Sequence, residues 1–153
     1  MTSPECKAVR CTSVAQSSGG LASRDLAALD QIAVRLICAD GRFSVPAKQM
    51  GRLLGERIAI ERGGKSLCLN EALSTLVSAC GCECALHSHF LQKNPEGALL
   101  KITGCNTVLG WEIPSVGRAV SGFDAGLFEG LLSSATCETV RVEETACLGL
   151  GDT

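Results

Sequence analysis

The sequence predicts an α+β fold with an antiparallel sheet, from two kinds of periodicity and their order along the chain. Apolar residues recur at helical spacing in three segments before residue 81 and again after residue 121. Shorter stretches alternate between apolar and polar residues, a pattern that is typical of strands. The predicted order is therefore three helices, a hairpin, a helix and a strand.

Three helices are predicted in the first half of the chain. The first spans residues 24–39, and the second starts near Pro46, where proline suits a first helical turn. The second helix carries Gly51 and Gly55 at a spacing of four, which indicates a face of close contact. Asn70 is predicted to cap the third helix. The hairpin is predicted from strands at 81–90 and 98–103, joined by a turn at 94–97.

The helix after Ser121 has three glycines on one side and an apolar stripe. Gly122, Gly126 and Gly130 are four residues apart, so they stack along one face. Each interior glycine costs a helix roughly 1 kcal/mol relative to alanine, so this spacing predicts that another backbone comes close to that face. The apolar stripe consists of Phe123, Leu127, Phe128, Leu131 and Leu132.

The last predicted element is a strand from residue 140. Val140, Val142 and Glu144 alternate on one side of it. A carboxylate on an apolar face is costly unless it is paired, hydrogen-bonded, protonated or bound to a cation. Glu144 and Cys147, three residues apart, are therefore candidate metal ligands.

Composition restricts the function class. The 153-residue chain has a formal net charge of −2 and no basic cluster, which argues against a nucleic-acid surface. It has no apolar run near the roughly 20 residues of a membrane span and no apolar signal-peptide core. The sequence predicts a cytoplasmic protein with a flexible tail at residues 1–20 and one domain at 21–153.

Ten cysteines are dispersed along the chain. Buried free thiols are the favoured interpretation, with metal or redox use as the alternative and a disulfide scaffold least favoured. The cluster at 80–89 contains Cys82, Cys84, His87 and His89. On a strand these cysteines and histidines would point to opposite faces, so the pattern does not favour one metal site.

No catalytic motif is present. The chain lacks G-x-S-x-G, a Walker loop and a G-x-G-x-x-G after a strand. Its two histidines are close in sequence, and neither lies in a motif with a nucleophile. A non-catalytic function is therefore favoured.

The segments Ile113–Gly130 and Val140–Cys147, with Gly151-Asp152, resemble the signature of the 4-vinyl reductase-like domain, a small-molecule-binding relative of the TRAPP vesicle-tethering subunits. The resemblance implies a helical layer packed on a twisted antiparallel sheet. It also implies dimers and a hydrophobic ligand pocket between the layers. By the same comparison, residues 21–153 lack the family's last strand segment.

The resemblance also implies a structural zinc in some members, held by two further cysteines and a Glu-x-x-Cys pair. The pair matches Glu144 and Cys147. Ser121 stands where the first cysteine is expected, and the last would fall beyond Thr153. Two of the four ligands are absent, which argues against zinc in its usual form.

The leading hypothesis is non-catalytic binding or sensing of an apolar small molecule, a hydrocarbon-like ligand, by a homodimer with a regulatory role. Alternatives are a TRAPP-like interaction subunit, an accessory protein or reductase of tetrapyrrole metabolism, and a thiol redox sensor. The predicted ligand-binding residues are Trp111, Phe123, Leu127, Phe128 and Leu131.

Overall fold

The computed structural model describes residues 23–63, 66–80, 89–94, 97–101, 113–144 and 151. Within these ranges the chain forms mainly helices. They are α1 (Ser23–Ala39), α2 (Ser44–Glu61), α3 (Leu69–Cys80) and α4 (Gly122–Thr136), with a short 3-10 helix at Gly41–Phe43 and two short strands, β1 (His89–Asn94) and β2 (Gly97–Lys101).

Helix α4 lies at the centre of the core. It contacts α1, α2 and α3, and its most extensive contact is with α2. Phe123, Leu127 and Leu131 are at most 2% exposed, so α4 is buried on several sides. A helix that is apolar nearly all round belongs in the interior. The other helices contribute Leu26, Ala33, Val34, Ile37, Ala47, Ile58, Ala59, Ala72, Leu73, Leu76 and Ala79 to the same core.

Local capping explains where the helices begin. Asp40 accepts hydrogen bonds from the Arg42 backbone N–H at 2.9 Å and from its guanidinium, which fixes the turn between α1 and α2. The Cys68 N–H donates to Glu71 Oε2 at 3.0 Å, so the carboxylate of α3 reaches back to its own first turn. Asn70, the predicted cap, lies one residue inside α3.

Strands β1 and β2 pair antiparallel as a two-stranded ribbon. His89 is opposite Lys101 and Asn94 is opposite Gly97, with an irregularity between Phe90 and Gln92. The extensive contacts of these two strands are with each other, whereas those of the helices are with other helices.

The predicted architecture, a helical layer packed on a twisted antiparallel sheet, is wrong for the described part of the chain. There the core is formed by helix against helix, with α4 surrounded by α1, α2 and α3. The stripes that were expected to face a sheet are therefore buried between helices.

The predicted strand from residue 140 is the clearest local correction. Residues 140–144 belong to no strand, and residues 145–147 lie outside the described residues. The Val140 N–H donates to Ser133 Oγ at 3.1 Å, and the Val142 N–H donates to Glu129 Oε2 at 3.2 Å. Because side chains of α4 occupy these amides, they do not pair with a neighbouring strand.

Candidate functional site

Helices α2 and α4 touch through backbone rather than side chains. A Cβ atom added to Gly126 would lie 2.8 Å from the Lys48 carbonyl carbon, and one added to Gly55 would lie 2.7 Å from the Leu131 nitrogen. Gly51 and Gly130 are equally crowded, by Phe123 and Arg52 respectively. The predicted close approach of a backbone to both glycine faces is confirmed.

The order of these contacts gives the direction of the pair. Gly122 lies nearest Ser44, Gly126 nearest Lys48 and Gly130 nearest Arg52. Positions increase together on both helices, so α2 and α4 run parallel. The glycine face of α4 is thereby committed to α2, and other faces of α4 remain for other contacts.

The side of α4 away from its glycines carries most of the predicted ligand-binding residues. Phe128 and Leu131, three residues apart, lie on that side and are 6% and 0% exposed. Phe123 and Leu127 lie at its border and are also buried. These four residues therefore form one buried apolar surface. Trp111, the fifth predicted residue, lies outside the described residues.

Asp124 adds a carboxyl group to this surface. It is four residues before Phe128 on the same side of α4 and is only 8% exposed. Sequence analysis did not select it, because an acidic residue in a first helical turn usually faces water and favours the helix dipole. Its burial places a polar group among the apolar residues.

A salt bridge fastens the segment after α4 to the helix pair. Lys48 Nζ lies 3.2 Å from Glu129 Oε2 and donates to the Val142 carbonyl at 2.9 Å. Burial alone would raise the pKa of Glu129, but hydrogen bonds from Val142 and Lys48 and the positive charges of Lys48 and Arg52 bring it below its ordinary value. The charged form of Glu129 is therefore the one that holds this segment.

Sequence analysis missed Lys48 and Glu129, although one signal was available. Glu129 follows Gly126 by three and Gly122 by seven residues, so it lies beside the glycine face. A charged group beside a close helix contact needs a partner on the other helix, and Lys48 supplies it.

Glu144 meets the start of α4. Its Oε2 accepts the Ser121 backbone N–H at 2.9 Å, and Ser121 is the N-cap residue. The Ser121 hydroxyl makes no capping hydrogen bond, so the carboxylate of Glu144 provides the negative group at this helix terminus. The requirement that Glu144 be paired or hydrogen-bonded is met by this amide.

The donor set near Glu144 does not fit the zinc that the resemblance implies. Zinc prefers cysteine and histidine ligands in a tetrahedral set. The structure brings Glu144 to Ser121, whose hydroxyl is a poor substitute for a thiolate, and Cys147 lies outside the described residues. Among the described residues, no group of three or more histidine, cysteine or acidic side chains could hold a metal ion. A metal role for Glu144 and Cys147 stays a prediction.

Three cysteines have described side chains. Cys38 and Cys68 are half-buried and Cys137 is exposed, all as free thiols. Cys137 ends α4 in a left-handed conformation, with its Sγ 3.8 Å from Ser66 Oγ. Residues 81–88 of the predicted cysteine and histidine cluster lie outside the described residues.

Comparison with known proteins gives one match. Residues 99–153 match the model of the 4-vinyl reductase domain. That stretch includes α4, the clamped segment and Glu144. The rest of the sequence resemblance, to the TRAPP subunits, is not part of this match. No curated protein and no solved structure matches the chain. None of the described helices combines the length and the apolar character that crossing a membrane requires.

Proposed function

We propose that this protein binds an apolar small molecule without catalysing a reaction on it, through its 4-vinyl reductase domain, and that the bound state serves a regulatory role. The observation that carries the proposal is the domain match over residues 99–153, which contains the buried apolar helix α4. The ligand would lie on the side of α4 that carries Phe128 and Leu131. We also infer that the functional unit is a homodimer.

The arrangement of α4 supports this choice of side. Its glycine face has no room for a ligand, because α2 backbone atoms already lie against it. The opposite side presents large apolar side chains, which are what most small-molecule pockets are lined with. Asp124 on this side could orient a ligand that has one polar group.

Native mass spectrometry tests the proposal directly. The protein is purified without chelator and measured beside a denatured sample of the same preparation. We expect an added mass of a few hundred daltons that is lost on denaturation, which also allows the ligand to be identified. A protein that carries no such mass, and that decanol does not stabilise against heating, would contradict the proposal.

The decanol measurement has a defined expectation. A ligand that binds only the folded state raises the free energy of unfolding by about 2.7 kcal/mol at a hundredfold excess over its dissociation constant. The melting temperature should therefore rise with decanol concentration, and glycerol, which is polar, serves as the matched control.

A further inference from the structure

Helix α2 exposes a row of large apolar side chains on the side away from α4. Val45 is 75% exposed, Leu53 60% and Ile60 57%. We call these three residues the α2 stripe. They lie opposite the helix face that carries Gly51 and Gly55, so the stripe faces outward. Apolar rows of this kind on a surface mark a contact with another molecule.

The spacing of the α2 stripe is nearly symmetric. Leu53 follows Val45 by eight residues and precedes Ile60 by seven, which corresponds to about 12 Å and about 10.5 Å along the helix axis. A second α2 turned end for end about Leu53 would therefore place Ile60 against Val45 and Leu53 against Leu53. The stripe complements itself, as a two-fold interface requires.

The charges beside the stripe do not oppose such a pairing. Arg52 is paired with Glu56 at 3.2 Å, and Arg57 with Glu61 at 2.6 Å, both within α2. The four charges sum to zero. Lys48, the remaining cation of the helix, is turned towards Glu129. A second copy therefore meets an apolar row with neutral borders rather than a field of one sign.

We propose that the α2 stripe is the interface between two copies of this chain, with the two α2 helices antiparallel and a two-fold axis at Leu53. The proposal specifies the surface of the homodimer inferred above. It does not depend on a bound ligand, because the stripe lies on the opposite side of α2 from α4.

Charge substitutions at Leu53 test the proposal with the full chain. In Leu53→Glu two like charges would face each other across the axis, and the same holds for Leu53→Lys. Each variant alone should be monomeric at concentrations where the unchanged protein is dimeric, as measured by sedimentation velocity. Because residue 53 meets its own copy, an equal mixture of the two variants should recover dimers.

Ile32→Glu is the matched control. Ile32 is 55% exposed on α1, outside the stripe, so this change should leave the dimer intact. Circular dichroism must show unchanged helix content in every variant. A monomeric unchanged protein, dimeric Leu53 variants, or a mixture that stays monomeric would each overturn the proposal. Stable association with a different protein and not with itself would do so too. Native mass spectra report dimer and ligand separately, so failure of one proposal is distinguishable from failure of the other.

Discussion

Glycine at residue 126 is required by a contact rather than by backbone conformation. Its hydrogen faces the backbone of Lys48 and Arg52, with a Cβ position 3.0 Å from the Arg52 nitrogen. Backbone atoms in a helix cannot turn aside as the end of a side chain can. The position therefore tolerates no larger residue unless the two helices separate.

Gly126→Ala should destabilise the protein although alanine is the better helix former. Overpacking typically costs about 1–3 kcal/mol, against roughly 1 kcal/mol gained in helix propensity, so we expect a net loss. Gly122→Ala is the matched control, because its added Cβ would lie at a less crowded 3.3 Å from the Ser44 carbonyl oxygen. Urea unfolding followed by circular dichroism measures both. Equal stability of the two variants would show that the helices are not in backbone contact.

Glu129 gives stability a dependence on pH. Its pKa in the folded protein is below the ordinary 4.5, so the charged carboxylate favours folding. This contribution is present above pH 4.5 and is lost as the pH falls through the lower folded value. Glu129→Gln should lower the free energy of unfolding by about 1–2 kcal/mol near neutral pH.

The test of this prediction is how that difference changes with pH. The gap between the unchanged protein and Glu129→Gln should narrow from about pH 6 to about pH 3. Glu61→Gln serves for comparison, since its pair with Arg57 is a more exposed helix pair, worth less than about 0.5 kcal/mol. A gap that stays constant over this range would mean that the charge on Glu129 does not support the fold.

At the scale of elements, helical spacing predicted the helices well because each has a buried apolar side. The three glycines of α4 even predicted the close backbone contact, since no other reason for that spacing is available. The alternation of Val140 and Val142 was misleading. It shows that one side of an extended segment is covered, and it cannot show whether strands or helix side chains receive the amides.

The candidate site was predicted unevenly for the same reason. Phe128 and Leu131 were found because they belong to a regular stripe. Lys48 was not found, because its partner Glu129 is distant in sequence and only the parallel contact of α2 and α4 brings the two together. The need of Glu144 for a polar partner was foreseen from its apolar neighbours, whereas the partner, an amide at the start of α4, was not.

Lys48→Met should loosen residues 140–144 selectively. The change removes both the ion pair with Glu129 and the hydrogen bond to the Val142 carbonyl while keeping a long aliphatic side chain. Hydrogen exchange measured by mass spectrometry should become faster in this segment than in the middle of α4. Arg52→Met, which loses only the pair with Glu56, is the control. Similar changes in the two variants would contradict the role of Lys48 as a clamp.

For the whole molecule, the proposed ligand site and the proposed dimer surface lie on opposite sides of the α2 and α4 pair. Phe128→Leu should reduce the stabilisation by decanol, because it removes part of the apolar surface proposed to touch the ligand. Leu26→Met alters the core on α1 instead and should keep the decanol effect. The quantity to compare is the rise in melting temperature on adding decanol, since both changes lower the starting value. An undiminished rise in Phe128→Leu would exclude this side of α4.

The parallel glycine contact also limits how the molecule can deform. If α4 slid along α2, its glycines would leave the carbonyls they face and larger residues would take their place. The fit returns only after a step of four residues, about 6 Å along the axis. Small displacements of one helix must therefore carry the other with it. A ligand that shifts α4 would tilt α2 as the same rigid lever, and the row of side chains around Leu53 would move relative to whatever is bound there.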